Sequence, residues 1–134
     1  MNDTQQLAAL RIVLIVVGLI AVFAFWPLMI LWPSGWAWHS GHSDYPLMIV
    51  GIYATLGVFL LIASRDPVKH LSLIWFTVWS SVVHGAIMTW QSFVVGTDGV
   101  SHLGHLAGDV PALFIAAAAL AFFTPRGDKS LVPH

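Results

Sequence analysis

Seven histidines and six aspartates stand in 134 residues that hold no cysteine and no glutamate. Thiolate sites and glutamate-based metal motifs are therefore excluded, which leaves imidazole and the aspartate carboxylate as the main metal-ligating side chains. His102, His105 and Asp109 are spaced i, i+3 and i+7, which on a continuous helix places all three on one stripe. Imidazole nitrogens and a carboxylate converging in this way suit copper, zinc or iron, none of which needs a sulfur ligand. His39, His42 and Asp44 echo the pattern, since Pro46 follows Asp44 as Pro111 follows Asp109, at the second position. If the echo is structural, the chain is a parallel repeat of two helices related by an axis along the membrane normal.

A second set of polar side chains runs through Thr77, Ser81, His84, Met88 and Gln91 at i, i+4, i+7, i+11 and i+14. That periodicity gathers them on one narrow helical face, which must point into a bundle if the surroundings are lipid. An ionisable group within a membrane span is a functional candidate. By the rise of a helix, His84 lies about 15 Å and Asp109 about 10 Å below the same end of their spans, so His84, His105 and Asp109 are expected in one site with His102 at its mouth. The competing reading is structural: His84 bonds to Ser81 or to a carbonyl, and Met88 packs rather than ligates. A further reading makes His84 and a second histidine such as His105 the axial ligands of a b-type haem, or has them border a quinone pocket.

The elements that must position these residues follow from composition. The chain is 58% hydrophobic and 8% charged, with a mean hydropathy of +0.85; too little of it is polar to cover a water-soluble globule, so its solvent is lipid. Four apolar runs are long enough to cross a bilayer, over residues 7–32, 45–63, 71–95 and 101–124. They predict an all-α, four-helix transmembrane bundle forming a single domain over residues 1–134. Short breaks at Pro33-Ser34-Gly35, Arg65-Asp66-Pro67 and Gly96-Thr97-Asp98-Gly99 separate the runs. For the fourth run, Asp109 two residues before Pro111 resembles a helix start. A helix starting there has about 16 residues for some 30 Å of hydrocarbon, so the expectation is a helix from near Ser101 bent around Pro111.

All five basic residues, Arg11, Arg65, Lys69, Arg126 and Lys129, fall on one side of the four runs. The positive-inside rule then places both termini in the cytoplasm and the histidine-rich loops outside. Trp26, Trp32, Trp36, Trp38 and Trp90 are expected in an aromatic belt at the outer interface, and Gly51, Tyr53, Thr55 and Gly57 are expected in close helix packing. A net charge of -1 leaves no basic field for nucleic acid.

The stretches Gly51 to Leu61, Arg65-Asp66-Pro67, Trp79 to Met88 and His105 to Asp109 resemble a family of small four-helix bacterial membrane proteins with no assigned activity. The resemblance implies a bacterial inner-membrane setting and carries no catalytic motif. From the residues, the expected function is binding of a transition metal, copper, zinc or iron, through His84, His102, His105 and Asp109 with His39, His42 and Asp44 on the outer side. The alternatives are an accessory or oligomer-forming subunit of a larger membrane complex without a cofactor, and a b-type haem or quinone redox subunit. With no nucleophile elbow and no phosphate loop, no independent enzyme is expected.

Overall fold

The computed structural model describes residues 2–38, 45–94 and 102–125. Among these residues the chain is helical and contains no strand. Helix α1, Asp3–Leu31, starts earlier than its apolar run because Asn2 and Gln5 form a reciprocal cap. The Asn2 side chain accepts the Gln5 N–H at 2.9 Å, and the Gln5 side chain accepts the Asn2 N–H at 3.2 Å. Within α1, Ile20–Ala24 widens into a π-helical turn just ahead of Pro27. Proline offers no N–H and crowds the carbonyl four residues back, and the wider turn adjusts the ladder where that donor is withdrawn.

A one-turn helix α2, Pro33–Trp36, follows with proline at its first position. Helix α3, Tyr45–Ala63, matches the second apolar run. A turn through Arg65 and Asp66 and a 3-10 segment, Pro67–His70, lead into α4, Leu71–Phe93. In that turn the Lys69 ammonium, 2.8 Å away, holds the Asp66 carboxyl below its ordinary range by hydrogen bonding first and charge second. The last span has two parts: a 3-10 segment, Leu103–Ala107, and helix α5, Asp109–Phe123. Four of these units, Asp3–Leu31, Tyr45–Ala63, Pro67–Phe93 and Leu103–Phe123, are long and apolar enough to cross a membrane.

Hydrophobic transfer does not hold such helices together in lipid; close packing and interhelical bonds do. The end of the bundle near the Arg65 turn is filled by Leu10 and Leu14 of α1, Leu60 of α3, Ile74 of α4 and Leu120 of α5, all fully buried. Helices α1 and α3 meet backbone to backbone. A Cβ on Gly57 would lie 2.7 Å from the Gly18 carbonyl oxygen, and one on Gly18 would lie 3.0 Å from the Gly57 carbonyl oxygen. The close packing expected in span two is thus carried by Gly57. Gly51 has open space where its side chain would be, and Tyr53 turns to a different task.

The far end is organised differently. Helix α4 packs most extensively on α5 and α3 on α1, which leaves the consecutive helices α3 and α4 parted. Hydroxyls that would otherwise be unpaired in lipid bond to their own helix: Thr77 Oγ1 donates to the Leu73 carbonyl at 2.8 Å and Ser92 Oγ to the Met88 carbonyl at 2.8 Å.

Candidate functional site

The polar face of α4 points inward, as its spacing predicts. Thr77, Ser81 and Met88 are buried and His84 is half-buried, while Val83 and Ile87 beside the stripe are more than half exposed; Gln91, at the end of the expected stripe, is exposed. His84 Nδ1 shares a hydrogen bond with the Tyr53 hydroxyl of α3, and the rings lie face to face at 5.8 Å. The Tyr53 ring in turn stacks on Phe25 of α1 at 4.7 Å, and Phe25 meets Trp36 edge-on at 5.5 Å. One polar bridge therefore joins α3 to α4 where their backbones stand apart.

A second polar group forms at the start of α5. The last span breaks at Gly108, whose φ of -111° and ψ of -108° end the 3-10 segment, and Asp109 occupies the first turn of the helix that follows. His105 Nδ1 lies 3.0 Å from each oxygen of the Asp109 carboxylate. The Trp38 indole N–H donates to Asp109 Oδ2 at 2.8 Å. His105 and Asp109 are 1% and 5% exposed, so two donors compensate a carboxylate that would otherwise be costly to bury. Trp38 covers the pair: its ring stacks on His105 at 4.0 Å and on His102 at 5.0 Å. The fold brings Trp38 there by docking α2 against the 3-10 segment so closely that a Cβ on Gly104 or Gly108 would run into the carbonyls of Ser34 and Gly35.

Both polar groups border a cavity of about 610 Å³. Its walls come from all four spanning units: Val17 and Ala21 of α1, Ile49 and Leu56 of α3, Ser81 and Met88 of α4, Ala112 and Leu113 of α5. Tyr53, His84, Gln91, His102 and Asp109 place polar atoms around this apolar space. The Trp36 indole N–H is also buried beside it with no acceptor among the described residues, at a cost of about 1–3 kcal/mol.

The metal site expected from the sequence is not formed. Among the described residues no three His, Asp, Glu or Cys side chains come together to hold an ion. The physical reason is the break at Gly108: His102, His105 and Asp109 do not share one continuous helix, so the i, i+3, i+7 stripe is lost. His105 and Asp109 do meet, but they bond to each other and to Trp38. His84 bonds to Tyr53, and His102 lies against Trp38. The expectation of a copper, zinc or iron protein built on His84, His102, His105 and Asp109 is corrected accordingly; His39, His42 and Asp44 lie outside the described residues, as does most of the proposed repeat in the first half. The helix expected from near Ser101 is corrected too: the aspartate–proline start at Asp109 is where α5 begins. Of the two imidazoles considered for haem, His84 lines the cavity and His105 is covered by the Trp38 ring.

Two residues of the site have roles that their sequence positions do not announce. Trp38, expected in an interfacial belt, also donates to Asp109, and Tyr53, expected to pack, both stacks on Phe25 and bonds His84. Neither lies at a telling spacing from its partner, 71 residues away for Trp38 and 31 for Tyr53. The one available signal was that a polar-tipped ring in a lipid-bound span needs a partner.

Fold and site define the class: a multi-helical protein with four segments suited to a bilayer and a largely apolar, partly open cavity among them. The chain belongs to a family of unknown function, DUF6632, which matches residues 5–128, in agreement with the resemblance drawn from its motifs. No curated protein and no solved structure matches it.

Proposed function

We propose that this protein binds a small, largely apolar molecule carrying a polar head, within its membrane-spanning bundle. The observation that carries the reading is the cavity of about 610 Å³ walled by all four spanning units. Small-molecule sites are concave and mostly apolar, with a few convergent polar groups to fix orientation, and this lining has that make-up. A lipid-soluble molecule of matching size restores dispersion contacts that an empty space forfeits. Tyr45 and Ile49 border the cavity while 74% and 47% exposed, which supports entry sideways from the bilayer. A quinone beside His84 is one member of this ligand class. A b-type haem would draw on His84 and His105, whose Nδ1 atoms are engaged by Tyr53 and Asp109, so the reading is built on the cavity rather than on haem.

Photolabelling from within the membrane tests it. A lipid-soluble diazirine, activated in nanodiscs, is expected to mark Tyr53, His84 or Met88 by peptide mass spectrometry. Marking confined to the outward residues Phe76, Trp79 and Val83 would count against the reading.

The setting that fits best is a bacterial inner membrane, with both termini in the cytoplasm and the Trp36 to Asp44 segment outside. Support comes from the five basic residues, all on one side of the spans. In this cysteine-free chain, Ser40→Cys is expected to react with an impermeant maleimide in intact spheroplasts and Ser130→Cys is not. Labelling at position 130 alone would reverse the orientation.

A further inference from the structure

The lining of the cavity carries five aromatic rings, those of Phe25, Trp36, Trp38, Tyr45 and Tyr53, together with the single carboxylate of Asp109. No lysine or arginine is among the lining residues. The imidazoles of His84 and His102 also border the cavity; the aromatic rings and the carboxylate favour a cation. The face of an aromatic ring is electronegative and attracts cations, more strongly where water is excluded. A carboxylate offers about four acceptor positions. Here the Trp38 N–H and the His105 ring nitrogen approach one or both of its oxygens at 2.8 and 3.0 Å, fixing its orientation at the cavity wall. The wall holds no lysine or arginine for an anionic head, and the carboxylate, although bonded by Trp38 and His105, has acceptor capacity beyond those contacts.

We propose that the molecule bound in the cavity is a lipophilic cation, with its charge beside Asp109 and its apolar groups against the surrounding rings. The inference rests on the cavity being a binding site, as proposed above, and adds the charge of the ligand. A cation whose charge is delocalised or shielded by alkyl or aryl groups suits the site best. Such a head is weakly hydrated and loses little on leaving water, whereas a compact ammonium would ask for more acceptors than the wall provides.

Tetraphenylphosphonium and tetraphenylborate have nearly the same shape and opposite charge, and triphenylphosphine oxide is a neutral relative. Their saturable binding to the full chain in phosphatidylcholine nanodiscs, above that to empty discs, is measured by equilibrium dialysis. The expected result is binding of tetraphenylphosphonium about tenfold or more tighter than either of the others. Asp109→Asn is expected to remove that advantage, so that tetraphenylphosphonium binds the variant no more tightly than triphenylphosphine oxide does. Equal saturable binding of cation, anion and neutral probe would overturn the charge assignment and leave the cavity reading standing. An unchanged cation preference in Asp109→Asn would overturn the role of Asp109. If none of the three binds saturably, the cavity reading falls with it. The comparison of three probes on the unmodified protein keeps the proposal falsifiable should Asp109→Asn fail to fold.

Discussion

Asp109→Ala is expected to destabilise the bundle by about 1–3 kcal/mol, the usual cost of leaving a buried donor without its partner. The substitution strips the acceptor from both the Trp38 N–H and His105 Nδ1, which now sit 2.8 and 3.0 Å from the carboxylate. His105 is nearly fully buried, so water cannot replace the lost partner without opening the site. The loss should also loosen Trp38, whose ring stacks on His102 and His105 and links α2 to the last span. Reversible unfolding in mixed micelles measures the change. A double-mutant cycle with His105→Ala should give a coupling of about 1 kcal/mol or more, because the two residues share one bond network. Additive losses, or an Asp109→Ala variant as stable as the parent, would show that the contact contributes little.

Gly57→Val should cost about 1–3 kcal/mol, the usual penalty for forcing atoms into a packed contact. The space for even a Cβ is absent, since the Gly18 carbonyl oxygen lies 2.7 Å and a Val22 methyl 2.8 Å from where it would stand. Relief requires α1 and α3 to separate, which disturbs Leu60 and Leu14 in the same interface. Gly51→Ala is the matched control on the same helix. Nothing lies within 4 Å of its added methyl, so the change should fall within about 0.5 kcal/mol of neutral. Equal effects at positions 51 and 57 would contradict the packing described for α1 and α3.

The parts of this fold that were legible in the sequence are those that depend on local periodicity. The end of the run 45–63 could be read because α3 is an unbroken apolar run with turn residues beyond its C-terminus. The inward face of α4 could be read because Thr77, Ser81 and Met88 recur at helical spacing and lipid tolerates polar groups on one face only. The same reasoning failed for the last span, where it assumed one continuous helix. Gly104 and Gly108 lie where α2 packs against the chain, and the close approach there accompanies a 3-10 segment and a break that no hydrophobic period encodes. The His105–Asp109 pairing survived, since a spacing of four residues keeps the two near each other across that break. Trp38 and Tyr53 were out of reach for a different reason: each meets its partner only through tertiary packing, and an aromatic residue in a membrane chain has an ordinary interfacial role that fits equally well.

The central claim is that the cavity among the four spanning units admits molecules from the bilayer, and labelling inside it is the most direct measurement. The diazirine probe should mark Tyr53, His84 and Met88 in the parent protein. The marks should disappear in Ala112→Phe, which places a ring in the cavity wall while leaving the outward face of α4 unchanged, so that Phe76 and Trp79 still label. Identical labelling of Tyr53, His84 and Met88 in both proteins, or their complete protection in the parent, would contradict the account.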